Sequence, residues 1–176
     1  MTHIKLVRAC GALATILMIA GCGLDRDPPS AAQPSFYQSM AQASAEVDGK
    51  AAASMISGYR RNNGLGAVVL DPDLDKLAAE QSRAMAARDK LDHDLVRSLG
   101  ARLKASGYDA KLASENIGAG YHTLAEAFSG WRDSPGHRAN MLMAGATRIG
   151  IATAYNPKSK YKVYWTLILA APAERR

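Results

Sequence analysis

The stretch S-E-N-I-G-A-G-Y-H-T-L-A-E-A-F-S-G-W-R-D-S-P-G-H-R-A-N-M-L-M, Ser114 to Met143, decides how the chain is read. It places a carboxylate, Glu115, ahead of a Gly-rich run that lets backbone approach a cleft closely. Thr123-Leu124-Ala125-Glu126 has the form of a capping box and starts a helix. Leu124, Ala127, Phe128 and Trp131 make that helix's buried face. Ser134-Pro135-Gly136 ends it, and His137 opens a short helical turn to Met143.

Upstream, three helical patterns are predicted. Val47 to Arg61 repeats apolar residues at Val47, Ala51, Met55 and Tyr59, and Asn62-Asn63-Gly64 stops it. Leu65 to Leu70 runs extended into Asp71-Pro72, a cap followed by a favoured first helical residue. A second helix spans Pro72 to about Lys90 and delivers the chain to Asp92-His93-Asp94. A third covers Leu95 to Ser106 and closes at Gly107. Downstream, Thr147 to Tyr155 and Tyr161 to Ala170 read as two strands joined by the loop Asn156 to Lys160. Helices first and antiparallel strands last imply an α+β fold, with helices layered on a small sheet.

The N-terminus is read separately. Lys5 and Arg8 precede an apolar run from Ala9 to Ala20, too short for a stable membrane span. The run ends in Ile19-Ala20-Gly21-Cys22, which resembles a bacterial lipobox. Residues 1–21 are therefore expected to be a lipoprotein signal peptide, with Cys22 the lipidation site. Residues 22–45, rich in Pro, Ser, Ala and Gln, are expected to be a flexible tether reaching roughly 25 Å. Residues 46–172 form the domain. Gly23 after the Cys resembles an outer-membrane address.

Removing residues 1–21 takes away Lys5, Arg8 and Cys10, and the formal charge falls from +6 to +4. Cys22 is then the only Cys, so the domain relies on its core rather than on a disulfide. Basic residues are not clustered with interleaved aromatics, which argues against a nucleic-acid partner.

His93, Glu115 and His137 are the residues expected to converge in one cleft. His137 is fixed after a Pro-Gly turn, and His93 sits where a helix gives way to loop. His122, just before the Thr123 cap, is expected to be exposed. Two imidazoles and a carboxylate could bind Zn²⁺ with one open position, or form a hydrogen-bonded polar cluster without metal. Glu126 has a capping role that competes with a place in the cleft. No HExxH spacing, G-x-S-x-G elbow or phosphate loop is present.

From about Val47 to Ala170 the chain resembles the bacterial branch of the CAP superfamily (cysteine-rich secretory proteins, antigen 5 and pathogenesis-related proteins). The residues that carry the resemblance are Tyr59 to Leu65, Leu70 to Leu74, the helix ending at His93, Arg102 to Tyr108, Glu115 to Gly120 and, above all, Trp131 to Leu142. The resemblance implies an α-β-α sandwich with a central antiparallel sheet. It also implies a cleft of two His and two Glu that in some members binds a divalent cation. His93, Glu115 and His137 match three of the four, and as metal ligands they would hold an ion such as Zn²⁺. Ser134 stands where eukaryotic members carry the fourth, and Glu126 is the candidate replacement.

The reading favoured is an envelope-anchored binding module for a lipid, peptidoglycan or protein ligand, held to the membrane by its lipid. The alternative is a metal-assisted hydrolase, in which Glu115 ligates or acts as base. The missing fourth acid and the lack of a nucleophile favour binding over catalysis.

Overall fold

The computed structural model describes residues 33–173. The signal segment, Cys22 and the first part of the expected tether, residues 22–32, lie outside the described residues. Five helices are present: α1 (Gly49–Asn62), α2 (Pro72–Arg88), α3 (Leu99–Ser106), α4 (Leu124–Asp133) and α5 (Pro135–Met141). Four strands, β1 (Val69–Leu70), β2 (Ala110–Ala119), β3 (Arg148–Tyr155) and β4 (Val163–Pro172), form one sheet in the order β1-β3-β4-β2. The β2–β4 and β3–β4 pairs are antiparallel, as expected, while the two-residue edge strand β1 runs parallel to β3.

Strand β4 explains the layering. It is buried from Val163 to Ala170, as a strand covered on both faces must be. Val163, Trp165, Leu167 and Leu169 pack with residues of α1, α4 and α5. Tyr164, Ile168 and Ala170 pack with α2 and α3 on the opposite face. The result is the expected α-β-α sandwich. Its layers meet closely: a Cβ built on Gly150 of β3 would lie 2.3 Å from the Leu74 carbonyl carbon of α2.

Local chemistry fixes where the helices begin. Asp48 accepts from the Ala51 amide at 3.0 Å, so α1 starts two residues after the predicted Val47. Ser98 accepts from the Ala101 amide, which starts α3 there rather than at Leu95 and leaves His93 in loop. Pro135 and Gly136 are not a turn before the last helix but its first two residues, with Ser134 as cap residue.

Two expectations are corrected. The stretch around Glu115, given no strand in the reading of the sequence, is strand β2. Its polar residues lack a strand signature, and pairing with β4 overrides that. The described part of the expected tether, residues 33–45, is not free of the domain. Ser35–Tyr37 forms a short 3-10 helix, and Ser35 Oγ donates to Asp48 at 2.7 Å. Met40 is 3% exposed, and its amide donates to the His122 carbonyl at 2.7 Å. Burial of that apolar side chain draws the segment onto the core. Among the described residues, no helix is long and apolar enough to cross a membrane.

Candidate functional site

The site is built on β2, the outer strand of the sheet. Successive side chains of a strand face opposite ways, so Glu115 and Asn116 serve different layers. Glu115 meets α3 and the loop after α2, and Asn116 meets α5.

Glu115 is the buried centre, its side chain 3% exposed. Arg102 Nη2 donates to its Oε2 at 2.5 Å, and His93 Nδ1 lies 2.8 Å from its Oε1. The Arg102 side chain is itself 1% exposed, whereas that of His93 is 52% exposed. Arg102 is held along its length. Nε donates to the Arg97 carbonyl at 3.1 Å and Nη1 to that of Leu77 at 3.4 Å. His93 is placed indirectly as well: Gln81, fully buried on α2, donates through Nε2 to the Asp92 carbonyl at 2.6 Å. The other amide atom, Gln81 Oε1, is buried without a hydrogen-bond partner.

His137 is the third residue of α5, and α5 is fastened to β2 through backbone. Asn116 Nδ2 donates to the His137 carbonyl at 2.9 Å. Asn140 Nδ2 contacts the Glu115 carbonyl at 3.0 Å and Asn116 Oδ1 at 2.9 Å. Ser114 Oγ donates to the Asn140 carbonyl at 3.1 Å. Trp131 Nε1 donates to the Ile117 carbonyl at 3.2 Å. Side chains of α4 and α5 thus take up the carbonyls that an outer strand otherwise leaves open.

The two imidazoles are shifted in opposite directions. His93 is pushed above its ordinary value, first by its hydrogen bond to Glu115, against the next-largest effect, burial, with the carboxylate's charge adding to the rise. His137, half-buried, is pushed below its ordinary value by desolvation first and by the charge on His93 second. Side-chain contact joins His93 to Glu115, and the charge on His93 reaches His137. His122 is exposed and stands apart.

Glu126 stays with its cap. Its Oε2 accepts from the His122 and Thr123 amides at 2.6 and 3.3 Å, closing the capping box with Thr123. Asp133 pairs with its neighbour Arg132 at 2.8 Å.

The ligand trio expected for Zn²⁺ does not fit a metal ion as arranged. Among the described residues, no group of three or more His, Cys, Asp or Glu is placed to hold one. Arg102 adds to this: its guanidinium, 2.5 Å from Glu115 Oε2, would repel a cation placed on that carboxylate.

Sequence reasoning missed Arg102, Asn116, Asn140 and Gln81 as site residues. Arg102 carried a signal: on α3 it shares a face with Leu99 and Leu103, and an arginine among apolar neighbours calls for an acid partner. Asn116 and Asn140 gave none, because their partners are backbone and amide groups distant in sequence.

Comparison with known proteins follows the same residues. The family model described as CAP, the cysteine-rich secretory protein family, matches residues 53–169. The protein YkwD of Bacillus subtilis (strain 168) is 30% identical over 125 residues, 70% of this chain and 49% of that protein. The chain thus spans about half the length of this curated relative. An extracellular protein containing an SCP domain from Bacillus anthracis superposes with TM-score 0.60 at 25% identity, covering 69% of this chain and 39% of that one. An outer surface protein of Borrelia burgdorferi superposes with TM-score 0.64 at 18% identity, covering 73% and 98%. At that identity the likeness is one of fold.

Proposed function

The chain belongs to the CAP family, the cysteine-rich secretory protein family, and from that premise we propose that it is an exported binding module anchored to the cell envelope. Lipid on Cys22 holds it, in the outer membrane where lipoproteins are sorted by the residue after the Cys. The cleft between His93, Glu115 and His137 takes a lipid, peptidoglycan or protein ligand. The solved relatives described as extracellular or outer surface proteins support export.

One observation carries binding over catalysis: both oxygens of Glu115 are engaged, by Arg102 and His93. A general base must reach a proton of its substrate, and Glu115 is 3% exposed beneath its two partners. The exposed faces of the site are the His93 and His137 rings and the α5 surface, which suit contact and hydrogen bonding.

The test sets purified protein against isolated peptidoglycan, phospholipid vesicles and fatty acids, scoring both retention and turnover. Retention of one class, lost in the His93→Ala, His137→Ala double variant without turnover, is expected. Hydrolysis of a peptide, peptidoglycan or ester by the wild type, lost in His93→Ala, would favour the hydrolase. For the anchor, incorporation of a fatty-acid analogue in cells should vanish in Cys22→Ser, and retained label would refute it.

A further inference from the structure

We infer that Arg102 stands at Glu115 in the place of a divalent cation, so that this cleft is built to work without metal. The inference rests on the cleft reading of His93 and Glu115. It does not depend on what ligand the cleft takes.

Three observations carry it. The first is charge balance. Glu115 is buried, and it already has a full positive charge in contact at 2.5 Å and an imidazole at 2.8 Å on its other oxygen. A second, divalent charge there would leave a nearly water-free pocket strongly positive.

The second is that Arg102 cannot swing aside at small cost. Its Nε, Nη1 and Nη2 all have partners, the Arg97 carbonyl, the Leu77 carbonyl and Glu115, and its side chain is 1% exposed. Moving it would break all three bonds in a site where water cannot replace them.

The third is that, among the described residues, no further acid joins these to make a metal-holding group. Glu126 holds the capping box, and Asp133 is paired with Arg132. A carboxylate behind an imidazole, as in Glu115–His93, is also the arrangement that supports a metal-bound histidine. With both Glu115 oxygens engaged, only the two imidazoles are left as ligands, fewer than the three protein ligands of an open zinc site, and freeing Glu115 from Arg102 would supply the third.

The experiment is zinc titration of the purified protein by calorimetry, with bound metal counted by elemental analysis after gel filtration. Wild type is expected to show no saturable uptake. Arg102→Met, which removes the charge but keeps much of the bulk, is expected to gain about one zinc site per chain, at least about tenfold tighter than any wild-type uptake. Adding His93→Ala should abolish that site. Arg102→Lys keeps a cation and should gain none.

Stoichiometric zinc on the wild type, lost in Glu115→Gln, would overturn the inference. So would a folded Arg102→Met protein that takes up no zinc. Should that variant fail to fold, imidazole nitrogen spectra of the wild type decide instead. Unchanged His93 and His137 signals with added zinc support the inference, and zinc-dependent shifts of both overturn it. Retention on peptidoglycan or lipid is scored on wild type with chelator present, so failure of the binding reading stays distinct from failure of this one.

Discussion

His93 and His137 are held in place by different means. His137 rides on α5, whose backbone is tied to β2 by Asn116 and Asn140. Its ring is half-buried and favours the neutral form. His93 lies in a loop, is exposed, and is held at its ring by Glu115 and at its neighbour by Gln81. One histidine is placed by the fold and the other by side chains. Damage to the helix layer that carries α5 should therefore leave His93 unmoved, and damage around Glu115 should free it.

The largest effect is expected where the two supports meet. Arg102→Ala leaves Glu115 buried without its counter-charge and should cost about 3–5 kcal/mol in urea unfolding. It should also loosen the His93 ring, seen as line broadening. A loss below about 1 kcal/mol would mean that water reaches Glu115 freely.

Asn140→Ala acts on the other support. It removes a donor to the Glu115 carbonyl and to Asn116, and should cost about 1–3 kcal/mol. The His137 signal should move while that of His93 stays. Equal movement of both rings would show that they share one support.

Gln81→Met sharpens the contrast with a smaller effect. It removes the bond to Asp92 together with the buried, unpartnered Oε1. These oppose each other, so stability should change by less than about 1 kcal/mol. Hydrogen exchange should nonetheless quicken in the loop that carries His93 and not in α5. Unchanged exchange there would show that Glu115 alone places His93.

The two supports differed in how far they were legible. The Asp71-Pro72 start of α2, the Thr123–Glu126 capping box and the buried Trp131 follow from local rules, and all are found. Strand β4 was readable because apolar, β-branched and aromatic residues fill it. Strand β2 was not, since Ser114, Glu115, Asn116 and Gly118 are poor strand formers. They adopt that form through pairing with Leu169, Ile168, Leu167 and Trp165 of β4. Arg102 illustrates the same limit. The position of Glu115 could be read from its motif, but its partner arrives from another helix. Which atoms neutralise a buried carboxylate is a tertiary fact.

pH dependence separates the two histidines with the smallest expected effects. The native value of His93 is raised, so its stabilising contribution is fully present below the ordinary imidazole value of 6.5 and is lost as pH rises through the native value. The native value of His137 is lowered, so the sign reverses, and native stability declines as pH falls through 6.5. Nuclear magnetic resonance titration of the two rings, in wild type and in His93→Asn, tests the shared cleft most directly. In wild type, His93 should titrate above 6.5 and His137 below it. Removing the charge of residue 93 should raise the His137 value partway back, with burial keeping it low. An unchanged His137 titration in His93→Asn would contradict the placement of both rings at one cleft.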